Sequence, residues 1–230
     1  PRQLQRERHR ILKPQLLVDT AGSRAEVVPP GAAGRGLAPD LHRRRVPGAP
    51  GHGRSQGRST NIIEFEEVIK NIYDKEGVPE AVIAHSFGGG AILYAAMNGL
   101  PLKKLISIAS PSIGDDIIQT YLRTIHGPPA TAVSFKSYIR RATGKSFDEF
   151  TSLHFIRNLH QKPALLLIHD QNDPEVSINH AIELKKLYPN ASLFRTDGHG
   201  HIRILRDDRV IARCLSFIKD EPTAVNTVTV

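Results

Sequence analysis

A serine hydroxyl attacks a carbonyl carbon only when a nearby base takes its proton and a third group orients that base. One stretch of this chain is built to present such a serine: Val82-Ile83-Ala84-His85-Ser86-Phe87-Gly88-Gly89-Gly90. An apolar run from Ala81 to Ala84 is short enough for a buried parallel strand, and a helix-forming segment runs from Ala91 to Met97. Strand, sharp turn and helix can hold Ser86 at the tip of a strained elbow, provided that the residues two before and two after it are small. Here they are Ala84 and Gly88. The competing reading is a glycine-rich loop that cradles a phosphate at a helix N-terminus.

A base and an acid are available on two later loops, each following an apolar strand. Leu165-Leu166-Leu167-Ile168 runs into His169-Asp170-Gln171-Asn172-Asp173-Pro174-Glu175-Val176, and Leu193-Phe194-Arg195 runs into Asp197-Gly198-His199-Gly200-His201. From the residues alone, Asp170 and Asp173 compete as the acid and His199 and His201 as the base. Zinc held by His169, Asp170, His199 and His201 is the metal alternative, but it leaves the elbow serine without a role. His85 and His52 read as turn residues.

The elements that must position these groups are regular from Ser59 onward. Asn61 can cap a helix with Glu64 as its capping-box partner, and Ile62, Phe65, Val68, Ile69 and Ile72 recur at helical spacing to about Tyr73. Strands are expected at Ala81–Ala84, Leu102–Ala109, Ala164–Ile168 and Ala191–Arg195, and helices at Ile178–Leu187 and Asp208–Ile218. This alternation predicts an α/β fold with a mostly parallel sheet flanked by helices. Ser112 to Gln161 lacks a core strand and carries Tyr121, Phe135, Tyr138, Phe147, Phe150 and Phe155. A helical cap with aromatics lining an acyl pocket explains so long a connection.

The 230 residues suffice for one substantial core, and no apolar run approaches the ~18 residues of a membrane span. The net charge of +8 would suggest nucleic acid, but it is localised: residues 1–60 hold 12 Lys+Arg and 4 Asp+Glu, leaving 19 of each for residues 61–230. No nucleic-acid partner is therefore expected for the part that carries the serine. No secretory signal is visible, and the single cysteine, Cys214, suits a reducing compartment, so a cytoplasmic location is expected. Residues 1–50 form an atypical basic segment rich in Gly, Pro and Arg, in which Gln15-Leu16-Leu17-Val18 is the clear strand candidate. A central strand at Arg43-Arg44-Arg45 is excluded by the cost of burying unpaired arginines.

From Gly51 onward the chain resembles the α/β-hydrolase superfamily, close to bacterial serine esterases with a small helical cap. The resemblance is carried by Gly51-His52-Gly53-Arg54-Ser55, the elbow around Ser86, His169 through Val176, and Gly198-His199-Gly200-His201-Ile202-Arg203-Ile204-Leu205. It implies a hydrolase core in residues 51–111 and 162–220, a cap in 112–161 and a tail in 221–230. It also implies Ser86 as nucleophile, Asp173 as orienting acid, His201 as general base and the Phe87 amide as one oxyanion donor. The second donor would come from the loop after Leu16-Leu17-Val18, where Thr20 and Ala21 stand. The expected activity is hydrolysis of small carboxylic esters through an acyl-enzyme, with no cofactor and no metal. Thioester or amide hydrolysis, acyl transfer, and a non-catalytic binding protein with a defective oxyanion hole are the alternatives. The chain departs from the resemblance between Asp19 and about Gly48, where an apolar strand ending in His-Gly is missing. The Arg, Gly and Pro bias there is what out-of-frame reading of GC-rich DNA produces.

Overall fold

The computed structural model describes residues 15–18, 44–45 and 61–220. Among the described residues six parallel strands form one sheet: β1 (Gln15–Val18), β2 (Arg44–Arg45), β3 (Ala81–His85), β4 (Lys104–Ile108), β5 (Ala164–Asp170) and β6 (Ser192–Thr196), in the order β2-β1-β3-β4-β5-β6. Among the described strands β2, two residues long, takes the outermost position, so there the arginine stretch stands at an edge and not at the centre. The strand order reverses between β1 and β3. A ligand in an open α/β sheet binds at such a reversal, beyond the carboxyl ends of the strands, and Ser86 lies immediately beyond β3.

Alternating residues of the strands feed two cores, one on each face of the sheet. Val82, Ala84, Leu105, Leu165 and Leu167 pack with Phe65 and Ile69 of α1 (Ile62–Glu76) and with Ile92 and Leu93 of α2 (Phe87–Met97). Ala81, Ile83, Ile106, Leu166 and Ile168 pack with Val210, Cys214 and Ile218 of α8 (Asp208–Ile218). Cys214 is thus a core residue, and burial pushes its thiol pKa up to about 12. Asn61 caps α1 as expected: its side-chain oxygen accepts the N–H groups of Ile63 and Glu64, while its amide nitrogen donates to the Glu64 carboxylate at 2.9 Å.

Between β4 and β5 lie α3 (Gly114–Thr124), α4 (Thr131–Thr143), a tight helical turn at Phe147–Phe150 and α5 (Ser152–Arg157). α3 and α4 build a small core of their own from Ile118, Leu122 and Ala132, with Phe147 against it. The aromatic residues of this segment do not act as one set. Phe155 is fully buried in the main core and touches Tyr94, whereas Tyr121 and Tyr138 face solvent. α6 (Asn179–Leu187) and a short α7 (Gly200–Arg203) complete the described helices. None of them is long and apolar enough to cross a membrane.

Candidate active site

Ser86 stands between β3 and α2 with φ 54 and ψ −127. That conformation costs a residue with a side chain about 1–3 kcal/mol, and it persists only when its surroundings enforce it. Its N–H donates to the Ile108 carbonyl at 2.9 Å, and its carbonyl accepts from Gly89 N–H at 3.1 Å. Gly89 allows the close approach: a Cβ there would sit 2.7 Å from Ser110 Cβ and 2.8 Å from Ser107 Oγ. The hydroxyls of Ser107 and Ser110 are bonded to each other at 2.9 Å beneath it. The sequence reading required small residues at Ala84 and Gly88. The demand at Gly89 has no local signal, because it arises from Ser107 on β4 and Ser110 just beyond its end.

The strained turn aims the hydroxyl at His201, on α7, with Ser86 Oγ 3.0 Å from His201 Nε2. The other ring nitrogen, Nδ1, lies 2.8 Å from Asp173 Oδ2. A carboxylate can only accept, so Nδ1 carries the proton and the Nε2 lone pair faces the serine. His201 and Asp173 are both buried, with side chains 3% and 0% exposed. Burial works to raise the Asp173 pKa. The hydrogen bond from His201, the N–H groups of Val176 and Glu175 and the nearby imidazole overcome it, so the carboxyl stays below its ordinary range and ionised. The three side chains form a chain of acceptors and donors that can draw a proton from Ser86 Oγ.

The competing candidates are engaged elsewhere. Asp170 ends β5 fully buried, its two oxygens accepting the N–H of Asn172 and His199 and the hydroxyl of Thr196. Desolvation opposes its ionisation, but these bonds and the N–H of Gly200 hold its pKa low. His199 turns to Asp207 Oδ2 at 2.8 Å and to Arg209. His169 is buried and its Nε2 donates to the Val176 carbonyl at 2.8 Å, so the metal quartet does not converge. Among the described residues no cluster of three or more His, Cys, Asp or Glu is arranged to hold a metal ion.

His85 does more than fill a turn. It is buried, its Nε2 donates to the His201 carbonyl at 3.0 Å, and its ring lies 4.8 Å from the His201 ring. Asp170 holds the two preceding residues by their N–H groups, so three consecutive backbone groups of the histidine loop rest on buried side chains. Phe87 is the first residue of α2, where a backbone N–H has no partner four residues back within the helix. Thr20 and Ala21, the expected source of a second amide, lie outside the described residues, as do His52, the Gly51–Ser55 turn and all of Asp19–Gly48 except β2.

A model of the Alpha/beta hydrolase family matches residues 21–213, well over half of the chain. The chain belongs to that family. No curated protein matches it in sequence. Among solved structures it is similar to an esterase, RhEst1, from Rhodococcus sp. at 13% identity, covering 91% of each chain with a TM-score of 0.62. It is similar also to a meta-cleavage product hydrolase from Pseudomonas fluorescens (18%, 91% of each chain, TM-score 0.58). A lipase-esterase related protein from Clostridium acetobutylicum follows at 16%, covering 89% of this chain and 95% of that one, with a TM-score of 0.57. At such identities the likeness to these structures is one of fold.

Proposed function

We propose that this α/β hydrolase is a serine esterase that cleaves small carboxylic esters through an acyl-enzyme. The observation that carries the proposal is the unbroken hydrogen-bonded series Asp173–His201–Ser86, anchored at a serine with positive φ. Ser86 Oγ adds to the ester carbonyl carbon while its proton passes to His201 Nε2, and Asp173 balances the imidazolium without taking the proton. Collapse of the tetrahedral intermediate breaks the bond to the leaving alkoxide, which takes the proton from Nε2. A water molecule then repeats the sequence on the acyl-serine and releases the acid. The Phe87 N–H is the oxyanion donor in this reading.

Residues 112–161 act as a cap in this reading. Its supports are the separate small core of α3 and α4 and the approach to the elbow of the chain just before the segment and at the start of α5. Ser110, at the exit of β4, is in contact distance of Gly89, and Ser152, where α5 begins, would lie 3.4 Å from a Cβ on Gly90. The substrate is a small molecule, and the location that the single buried cysteine suits is the cytoplasm. A panel of nitrophenyl esters of increasing acyl length tests the function. Saturable turnover is expected, and Ser86→Ala should lower kcat by ~10⁴ or more with circular dichroism unchanged. Turnover that survives in Ser86→Ala would move the nucleophile elsewhere.

A further inference from the structure

We propose that Glu175 selects esters whose leaving alcohol carries a positive charge, a substrate class that rests on the serine-esterase reading above. The atom that returns a proton to the leaving oxygen is His201 Nε2, so that oxygen must come within about 3 Å of it. Glu175 Oε2 lies 4.0 Å from the same nitrogen. A cationic group a few bonds beyond the leaving oxygen therefore falls beside the carboxylate, and an anionic one is repelled. The other acids of this loop are engaged: Asp173 holds His201, and Asp170 holds the N–H groups of the histidine loop. Glu175 instead opens to solvent, its side chain 59% exposed, and among the described residues it has no lysine or arginine partner.

Its placement is tied to the relay. Asp173 Oδ1 accepts the N–H of Glu175 at 2.8 Å and of Val176 at 2.9 Å, so the carboxylate that orients His201 also fixes the backbone that presents Glu175. A depression of about 290 Å³ opens beside His201, bounded also by Asn172, Pro174 and Arg203. Two unit charges about 5 Å apart in a partly solvated setting attract enough to change kcat/KM roughly four- to fifteen-fold.

The test compares 3-(trimethylammonio)phenyl butyrate with its neutral isostere 3-tert-butylphenyl butyrate, in the wild type and in Glu175→Gln, at low and high salt. Gln keeps the shape and the backbone hydrogen bond, and the ratio in the variant absorbs the intrinsic difference between the two phenols. The cationic-to-neutral ratio of kcat/KM should be roughly four- to fifteen-fold higher in the wild type than in Glu175→Gln, and the excess should shrink with added salt. Equal ratios in the two proteins, with both esters turned over, would overturn the role of Glu175 and leave the esterase reading standing. Absence of turnover of either ester, together with no phosphonate adduct on Ser86, would overturn both.

Discussion

Replacing each of the two loop aspartates by asparagine should separate orientation of the base from stability of the loop. In Asp173→Asn the amide has one permitted orientation. Oδ1 accepts two backbone N–H groups, from Glu175 and Val176, so the amide oxygen must remain there. The NH₂ then occupies the Oδ2 position and donates to His201 Nδ1. The imidazole is driven to carry its proton on Nε2, facing Ser86, and can no longer accept from the hydroxyl. A wrong tautomer of this kind costs ~10³–10⁴ in kcat, or about 4–5.5 kcal/mol of barrier. Asp170→Asn has no harmless orientation, because both oxygens accept backbone N–H groups, from Asn172 and His199. One part-buried N–H loses its acceptor and meets an NH₂, at about 1–3 kcal/mol, or ~2–12 °C in Tm for a chain of this size. His201 keeps its tautomer, so kcat of the folded fraction should stay within about tenfold. Thermal melts and initial rates on nitrophenyl butyrate give both readouts. The opposite ranking, with Asp170→Asn inactive but stable and Asp173→Asn active, would assign the acid to Asp170.

Two further expectations concern the scaffold. His180 Nδ1 accepts the N–H groups of Ser112 and Ile113 at 2.8 and 2.9 Å, where the chain leaves β4 for α3. Protonation would discard both bonds, and burial, aided by His169 and opposed by Asp116 and Asp173, pulls its pKa down to about 4. The unfolded chain binds this proton first, so the stability it confers is complete above pH ~6.5 and is lost as pH falls toward about 4, to a limit of about 3 kcal/mol. Urea midpoints between pH 7 and 4 should fall less steeply in His180→Gln; an unchanged slope would contradict the assignment. Gly89→Ala should lower Tm although alanine favours helix by ~1 kcal/mol, because crowding Ser110 and Ser107 costs about 1–3 kcal/mol and shifts the elbow. A raised Tm with full activity would show that the serine pair yields freely.

What could be read in the sequence divides along a physical line. β3, β4 and β5 and helices α6 and α8 are carried by local periodicity, and the Asn61 cap by residues three apart; all stand where the pattern put them, within a few residues. β5 runs on through His169 and Asp170, past the expected end at Ile168, where the two polar residues are bonded to Val176 and Asn172 of the following loop and to Thr196 and His199 farther on. Ser86 could be singled out by its motif, whereas chain order left two acids and two bases open and the family resemblance pointed to Asp173 and His201. The residues that brace them could not: His85 meets His201 across 116 positions, His180 meets Ser112 across 68, and Asp170 meets His199 across 29. A buried histidine or aspartate has no local signature of its partner. Phe155 illustrates the same limit, since an aromatic residue in a helical stretch reads alike whether it lines a pocket or, as here, fills the main core.

Covalent labelling reports whether Ser86 is a nucleophile activated by His201. The protein is treated with a fluorophosphonate, and the adduct is counted by intact mass and located by peptide mapping. One adduct per chain is expected, on the peptide containing Ser86, forming more slowly by orders of magnitude in His201→Ala and not at all in Ser86→Ala. An adduct on another residue, or labelling of Ser86 at the same rate without His201, would contradict the account.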